Sequence, residues 1–149
     1  MLNNINFKIL RMTEEHIREV AKIESACFSE PWSEKSLSLL VSNSGVAFVA
    51  LVGETIAAYA GMITVLDEGQ ITNVAVFPEF RRLGYGRAVV NALLEYAKDH
   101  KICSISLEVR ESNSAAILLY ESLGWKKCGT RKNFYRFPSE SAIIMVRNL

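Results

Sequence analysis

Two apolar, β-rich runs, Val46–Val52 and Thr55–Leu66, are separated by nothing but Gly53-Glu54. A two-residue connection is a hairpin turn, and a glycine supplies the backbone freedom that such a turn needs. The chain must therefore contain antiparallel sheet. Asp67-Glu68-Gly69 reads as the next turn, and Gln70–Phe77 as the third strand of a meander. Pro78 ends that strand, because it has no N–H to give to a ladder. The period then changes. Gly86 to about His100 sets Val89, Val90, Leu93, Leu94 and Ala97 on one helical face, and Ile102–Arg110 returns to a strand. Strand, helix and strand in succession predict one β-α-β crossover.

The flanking segments fit around this centre. Phe7–Arg11 reads as a first strand. Thr13 can cap a helix running to about Cys27, with Ile17, Val20, Ala21 and Ile23 on one face. His16 stands where a capping box takes Glu or Gln, so that signal is incomplete. Ser33 caps a short helix through Leu37, Leu40 and Val41. Asn113 or Ser114 caps another that ends at Leu123, with Gly124 as its stop. Lys126–Phe137 and Ala142–Arg147 close the chain as two more strands. The expectation is one domain over residues 1–149 of mixed α and β structure (α/β in the broad sense, α+β in layout), with about 6–7 strands and about 4 helices.

Composition narrows the function. Of 149 residues 50% are hydrophobic and 22% charged, the balance of a globular domain with a true core. A domain of this length buries about 70% of its unfolded surface, so neither a metal nor a disulfide is needed to hold it. Lys and Arg number 17 against 16 Asp and Glu, a net charge of +1 that argues against a dedicated nucleic-acid binder. Cys27, Cys103 and Cys128 are odd in number and widely spaced, so they read as reduced thiols of a cytosolic protein, most simply as small buried hydrophobes. With only His16 and His100 as histidines, no metal site is expected. Met1–Met12 shows no targeting pattern, and the longest apolar stretch, Thr55–Leu66, is too short to span a bilayer. Cytoplasmic residence, away from membranes, is the expectation.

Arg81-Arg82-Leu83-Gly84-Tyr85-Gly86-Arg87 lies between a strand and a helix. Glycines let a bulky anion approach the backbone, a helix start offers unpaired N–H groups, and arginines add full charge suited to phosphate. The segment is not a P-loop, and Val89 stands where a Rossmann fingerprint needs its third glycine. A solvated turn and a pyrophosphate cradle are both open on these residues alone. In Ser104–Arg110 the alternation puts Ile105, Leu107 and Val109 on one face and Ser104, Ser106, Glu108 and Arg110 on the other. Glu108 is then either an acid on a wet sheet face or a tuned carboxylate. Tyr120, on the helix that follows, is either a half-buried structural tyrosine or a proton donor. Asn113 is an N-cap or a ligand contact.

Taken together these pieces resemble the GCN5-related N-acetyltransferases. The family's Arg/Gln-x-x-Gly-x-Gly/Ala signature is matched by Arg81-x-x-Gly84-x-Gly86 after Asn73-Val74-Ala75-Val76. Pro31–Lys35, Leu107–Arg110 with Ser112-Asn113, Leu119–Gly124, Arg131–Tyr135 and Ala142–Met145 are most similar to the branch that acetylates the N-terminal alanine of a ribosomal protein. The resemblance implies a splayed, mixed, mostly antiparallel sheet with acetyl-CoA lying between the strands that start near Gln70 and Ile102. Val74, Ala75 and Val76 would meet the acetyl and pantetheine part. Arg81, Arg82, Leu83, Gly84, Tyr85, Gly86 and Arg87 would hold the pyrophosphate, and Asn113 would touch the cofactor. Glu108 matches the general base and Tyr120 the general acid. Arg136–Ser141 departs from that branch's longer, more acidic connection, and Phe134 replaces the first of a frequent tyrosine pair. Both departures bear on the acceptor.

The implied reaction moves an acetyl group from a thioester to a neutral amine. Deprotonation at pH 7 costs about 1.4 kcal/mol for a chain-terminal amine and roughly 4.6 kcal/mol for a lysine. One carboxylate can manage the first, which favours a protein or peptide N-terminus, that of a ribosomal protein. Phe28, Trp32 and Tyr135 are candidates for the acceptor groove. Two alternatives stay open: a small-molecule amine as acceptor, and a non-catalytic acetyl-CoA-binding module. A small cationic acceptor calls for an acid cluster, and only Glu111 accompanies Glu108; the presence of both Glu108 and Tyr120 speaks against the module.

Overall fold

The computed structural model describes residues 7–149; the start of the Met1–Met12 segment, residues 1–6, lies outside the described residues. Seven strands form one sheet: β1 (Phe7–Arg11), β2 (Gly45–Val52), β3 (Thr55–Val65), β4 (Glu68–Val76), β5 (Ser104–Arg110), β6 (Lys126–Tyr135) and β7 (Glu140–Asn148), in spatial order β1-β2-β3-β4-β5-β7-β6. Only β4 and β5 run parallel. Four α-helices accompany them: α1 (Ile17–Cys27), α2 (Glu34–Leu37), α3 (Tyr85–Asp99) and α4 (Ser114–Ser122). The mixed, mostly antiparallel architecture is the one expected, and α3 is the crossover helix.

The strands alternate, so the sheet feeds a core on each face. On one face α3 buries Val89, Val90, Leu93, Leu94 and Ala97 against Ala58, Ala60, Ile105 and Leu107. On the other, α1, α2 and the 3-10 turn Ser38–Val41 that continues α2 bury Ile17, Val20, Ile23, Leu37 and Leu40 against Val49, Tyr59 and Ala75. Each large side chain so buried contributes roughly 1.5–3 kcal/mol. The indole N–H of Trp125, buried beyond α4, donates to Ile105 O at 3.0 Å and pins that end of the chain to β5.

Several boundaries differ from expectation. The β3–β4 turn is Leu66-Asp67, with Leu66 left-handed (φ 56°), and Glu68 and Gly69 are already in β4. Gly69 serves packing rather than turning, because a Cβ there would lie 2.6 Å from Met62 Sδ. Thr13 caps not α1 itself but a 3-10 turn, Glu14–His16, that leads into it, and there the capping box is complete: His16 Nδ1 accepts from the Thr13 N–H at 3.0 Å, the task of Glu in such a box. β7 enters between β5 and β6, an order no local signal reveals. The expected burial of the cysteines fails at Cys103 and Cys128, which are exposed; all three cysteines are free thiols.

The feature that positions the site is a parting of strands. β4 and β5 pair only at Glu68↔Ser104, Gly69↔Ile105 and Gln70↔Ser106, then separate. In the β3–β4 register Gly61↔Asn73 steps to Met62↔Ile71, so Thr72 is an unmatched bulge residue. A bulge bends its strand, and this one lies where β4 leaves β5. Gly61 is required beside it, since a Cβ would meet Leu40 Cδ1 at 2.6 Å and Thr72 Oγ1 at 3.0 Å.

Candidate active site

The gap between β4 and β5 opens into a cleft of about 730 Å³. Gln70–Val74 form one wall and Leu107–Arg110 the other, with Asn113, Ala116 and Tyr120 beside β5. The loop after α1, with Phe28 and Trp32, and the β6–β7 hairpin, with Phe134–Pro138, flank the mouth.

Strand parity decides which backbone groups face the gap. Phe77 N–H donates to Ala57 O at 2.9 Å, so Phe77 bonds toward β3, and with it Ala75 two residues back. Val74 and Val76, of opposite parity, turn their N–H and C=O to the β5 side. The Val76 carbonyl is already engaged there: it accepts from the Cys27 thiol at 3.3 Å and from Arg81 Nε at 3.1 Å. Of the three residues expected to meet the pantetheine, the structure thus brings the backbones of Val74 and Val76 to the gap. Ala75 it does not: its backbone is spent on β3 and its side chain is buried.

Beyond Val76 a short turn leads to Gly84, the N-cap of α3, in the left-handed region (φ 90°). Ala88 N–H is the first to bond within the helix, to Gly84 O. The N–H groups of residues 82–87 find no partner among the described residues. Such a run, at the positive end of a 15-residue helix, attracts an anion. The side chains divide the labour. Arg81 is spent on Val76 O and, at 3.5 Å, on Cys27 Sγ, so it holds the turn to β4. Arg87 donates to Ser122 Oγ at 2.9 Å, and Arg82 pairs with no described residue. The rings of Phe7 and Phe80 pack edge-on against Tyr85, which is core, so only its N–H can serve a ligand. Leu83 likewise packs against the core.

Glu108 accepts from Gln70 Nε2 at 3.1 Å, a bond across the point where the strands part. Burial, and then the nearby Glu108 charge, push the Tyr135 phenol up to about 12. Burial and the neighbouring Tyr135 raise the Tyr120 phenol above its ordinary value. Glu108, Tyr135 and Tyr120 all line the same cleft. Tyr120 is 7% exposed and lines the cleft, and its hydroxyl bonds to no described residue. Asn113 lines the cleft, but its Oδ1 caps α4 through Ala116 N–H at 3.2 Å, leaving only its NH₂ for a ligand.

Two residues missed in the sequence hold the cleft's walls. Arg110, two positions beyond Glu108, donates to Pro138 O (2.9 Å), Arg136 O (3.0 Å) and Glu140 Oε1 (3.1 Å), and lies 4.5 Å over the Tyr135 ring. Bonds donated by Ser112, joined by Arg110, hold the Glu140 carboxyl below its ordinary range. That stabilisation is present above the ordinary glutamate pKa and is lost as pH falls below it. Lysine cannot reproduce the forked set of bonds. Arg110→Lys is therefore expected to lower stability by about 1–2 kcal/mol in urea unfolding and to expose residues 134–138 to limited proteolysis; unchanged cleavage would remove the clamp. The second residue is Glu24, 0% exposed, which accepts from Trp32 N–H (2.8 Å), Asn73 Nδ2 (2.9 Å) and the Tyr59 hydroxyl. Burial raises its carboxyl, and these three bonds oppose the rise. Its signal was its spacing: Glu24 falls seven after Ile17 and four after Val20, on the apolar stripe of α1.

Among the described residues no group of three or more His, Cys, Asp or Glu could hold a metal, and no helix is long and apolar enough to cross a membrane. The cleft thus carries a carboxylate and two phenols in its lining, with parted strands as its walls and a run of unpartnered N–H groups at the nearby start of α3. Residues 17–125 match the model of the acetyltransferase (GNAT) family, and the chain belongs to that family; it is an N-acetyltransferase. It is 38% identical over 125 residues to the [ribosomal protein bS18]-alanine N-acetyltransferase of Escherichia coli K12, covering 83% of this chain and 84% of that one. With the enzyme of the same name from Haemophilus ducreyi it shares 34% identity over 140 residues, 90% and 94% of the two chains. The crystal structure of the E. coli ribosomal-protein-S18-alanine N-acetyltransferase superposes with a TM-score of 0.90 at 34% identity, covering 96% of this chain and 94% of that one.

Proposed function

We propose that the protein transfers acetyl from acetyl-CoA to the N-terminal α-amine of a ribosomal protein in the cytoplasm, bS18 as in its named relatives being the first candidate. What supports this reading is that Glu108, Tyr120 and Tyr135 all line the cleft that opens where β4 and β5 part.

The fit to acetyl-CoA is chemical. Free N–H groups from 82 to 87, with Arg82 and Arg87, suit a pyrophosphate. The Val74 and Val76 edges suit an amide-bearing arm laid along a strand. The Val76 N–H is a donor for the thioester oxygen, where negative charge grows. Glu108 takes the proton of the incoming amine, directly or through a water. A terminal amine with a pKa near 8 asks only about 1.4 kcal/mol at pH 7. Tyr120 stays protonated throughout the working range, because burial raises it. Full transfer of that proton to a thiolate runs uphill, so its main work is a hydrogen bond donated to sulfur as the C–S bond breaks. The lining carries Glu30 and Glu108 against Arg110 and Arg136, so it lacks the acidic excess a polyamine would need.

Tyr120→Phe is expected to lower kcat about 10²-fold with acetyl-CoA affinity unchanged; wild-type turnover would show that sulfur leaves unaided. The acceptor is tested by thiol release with a panel of alanyl peptides, acetyl-blocked lysyl peptides and polyamines, with mass spectrometry placing the acetyl group. Acetyl on a lysine Nζ or on a small amine alone would overturn the α-amine reading.

A further inference from the structure

Glu24 is the one fully buried charged side chain among the described residues, and the transfer chemistry does not use it. A carboxylate offers only acceptors, and a backbone N–H, such as that of Trp32, cannot become one. The Asn73 amide can point either way, and facing Glu24 it must present Nδ2. Its Oδ1 is then the end left for a ligand, and Asn73 lines the cleft next to the bulge at Thr72. Its side chain shares strand parity with Ala75, so it lies on the sheet face covered by α1, whereas the anion cradle belongs to α3 on the opposite face. Whatever meets Asn73 arrives from the side of the Phe28–Trp32 loop, which the same carboxylate fastens through Trp32 N–H.

We infer that Asn73 Oδ1 accepts an N–H of the acceptor's amine terminus, and that Glu24 is the positioning residue that fixes the Asn73 amide in this sense. This deepens the proposed function and rests on it for the identity of the amine. In Glu24→Gln the new amide must give its oxygen to the Trp32 N–H, which leaves its NH₂ facing both the Tyr59 hydroxyl, which can rotate to accept, and Asn73. Asn73 then turns its oxygen inward and a donor toward the amine. A second change, Asn73→Asp, repairs this, since one carboxylate oxygen accepts from the introduced NH₂ while the other faces the cleft.

The test uses the whole protein at pH 9, above the α-amine pKa of about 8. Glu24→Gln is expected to raise the acceptor KM about tenfold, the scale of one lost hydrogen bond, with kcat within about twofold and the acetyl-CoA KM unmoved. The double variant E24Q/N73D is expected to return the acceptor KM to within about twofold of wild type. An unchanged acceptor KM in E24Q, a parallel rise in the acetyl-CoA KM, or a double variant no better than the single one overturns the inference. If wild type acetylates a small amine and no α-amine peptide, the function reading fails, and the same comparison on that amine still decides the role of Asn73. NMR of the Asn73 side-chain amide, whose bonded proton should lose its shift in E24Q, decides the orientation without any acceptor, and an unchanged spectrum also overturns it.

Discussion

Glu108→Gln is expected to lower kcat about 10²–10⁴-fold near neutral pH while acetyl-CoA binds as before. Glutamine keeps the shape of the side chain and can keep one bond to Gln70, so the sheet edge is undisturbed. What disappears is the proposed proton acceptor, and neither Tyr135 nor Tyr120 can replace it, because burial holds both phenols above their ordinary value. The residual rate should climb as pH rises through about 8, where the acceptor amine deprotonates itself, and the deficit should narrow there. Steady-state rates from pH 6 to 10, with acetyl-CoA affinity from calorimetry, check this. A pH profile parallel to that of wild type would remove Glu108 from the base role.

Gly84→Asp is expected to weaken acetyl-CoA binding by more than 10²-fold. Two effects add. Gly84 holds φ at 90°, where a side chain costs roughly 1–2 kcal/mol, and the strain falls on the turn that presents the free N–H groups. The new carboxylate also stands at the N-terminus of α3, where the proposed pyrophosphate would sit, and like charge there is unfavourable. Gly84→Ala separates the two, since it bears the strain without the charge. It should lower the unfolding free energy by about 1 kcal/mol and bind acetyl-CoA markedly better than the Asp variant. Calorimetric titration of both variants is the measurement, and full affinity in Gly84→Asp would show that the donor is held elsewhere.

Much of this arrangement was legible in the chain because its causes are local. The Gly53-Glu54 hairpin, the caps at Ser33 and Asn113, and the α3 stripe are each written within a few residues. The alternation of Ser104–Arg110 likewise suffices to place Glu108 and Arg110 on one face. What stayed hidden depends on partners distant in sequence. Gly69 reads as a turn glycine until Met62 is seen beside it. Ala75 reads as a backbone contact until its parity with Phe77 is known. Arg81 reads as a phosphate ligand until Val76 O and Cys27 are found under it. Glu24 reads as an ordinary helix acid because its three donors come from residues 8, 35 and 49 positions away.

The parting of β4 from β5 also bears on how such a sheet survives among other proteins. Unsatisfied strand edges normally sit at a sheet's margin, where they invite a foreign strand and aggregation. Here a pair of them lies in the interior of the order β1-β2-β3-β4-β5-β7-β6, screened by the loop after α1 and by the Arg110-held hairpin. The Val74 and Val76 amide hydrogens should therefore exchange quickly with water inside an otherwise slow-exchanging body, a stripe of stickiness that only a guest slender enough to enter the gap can quench.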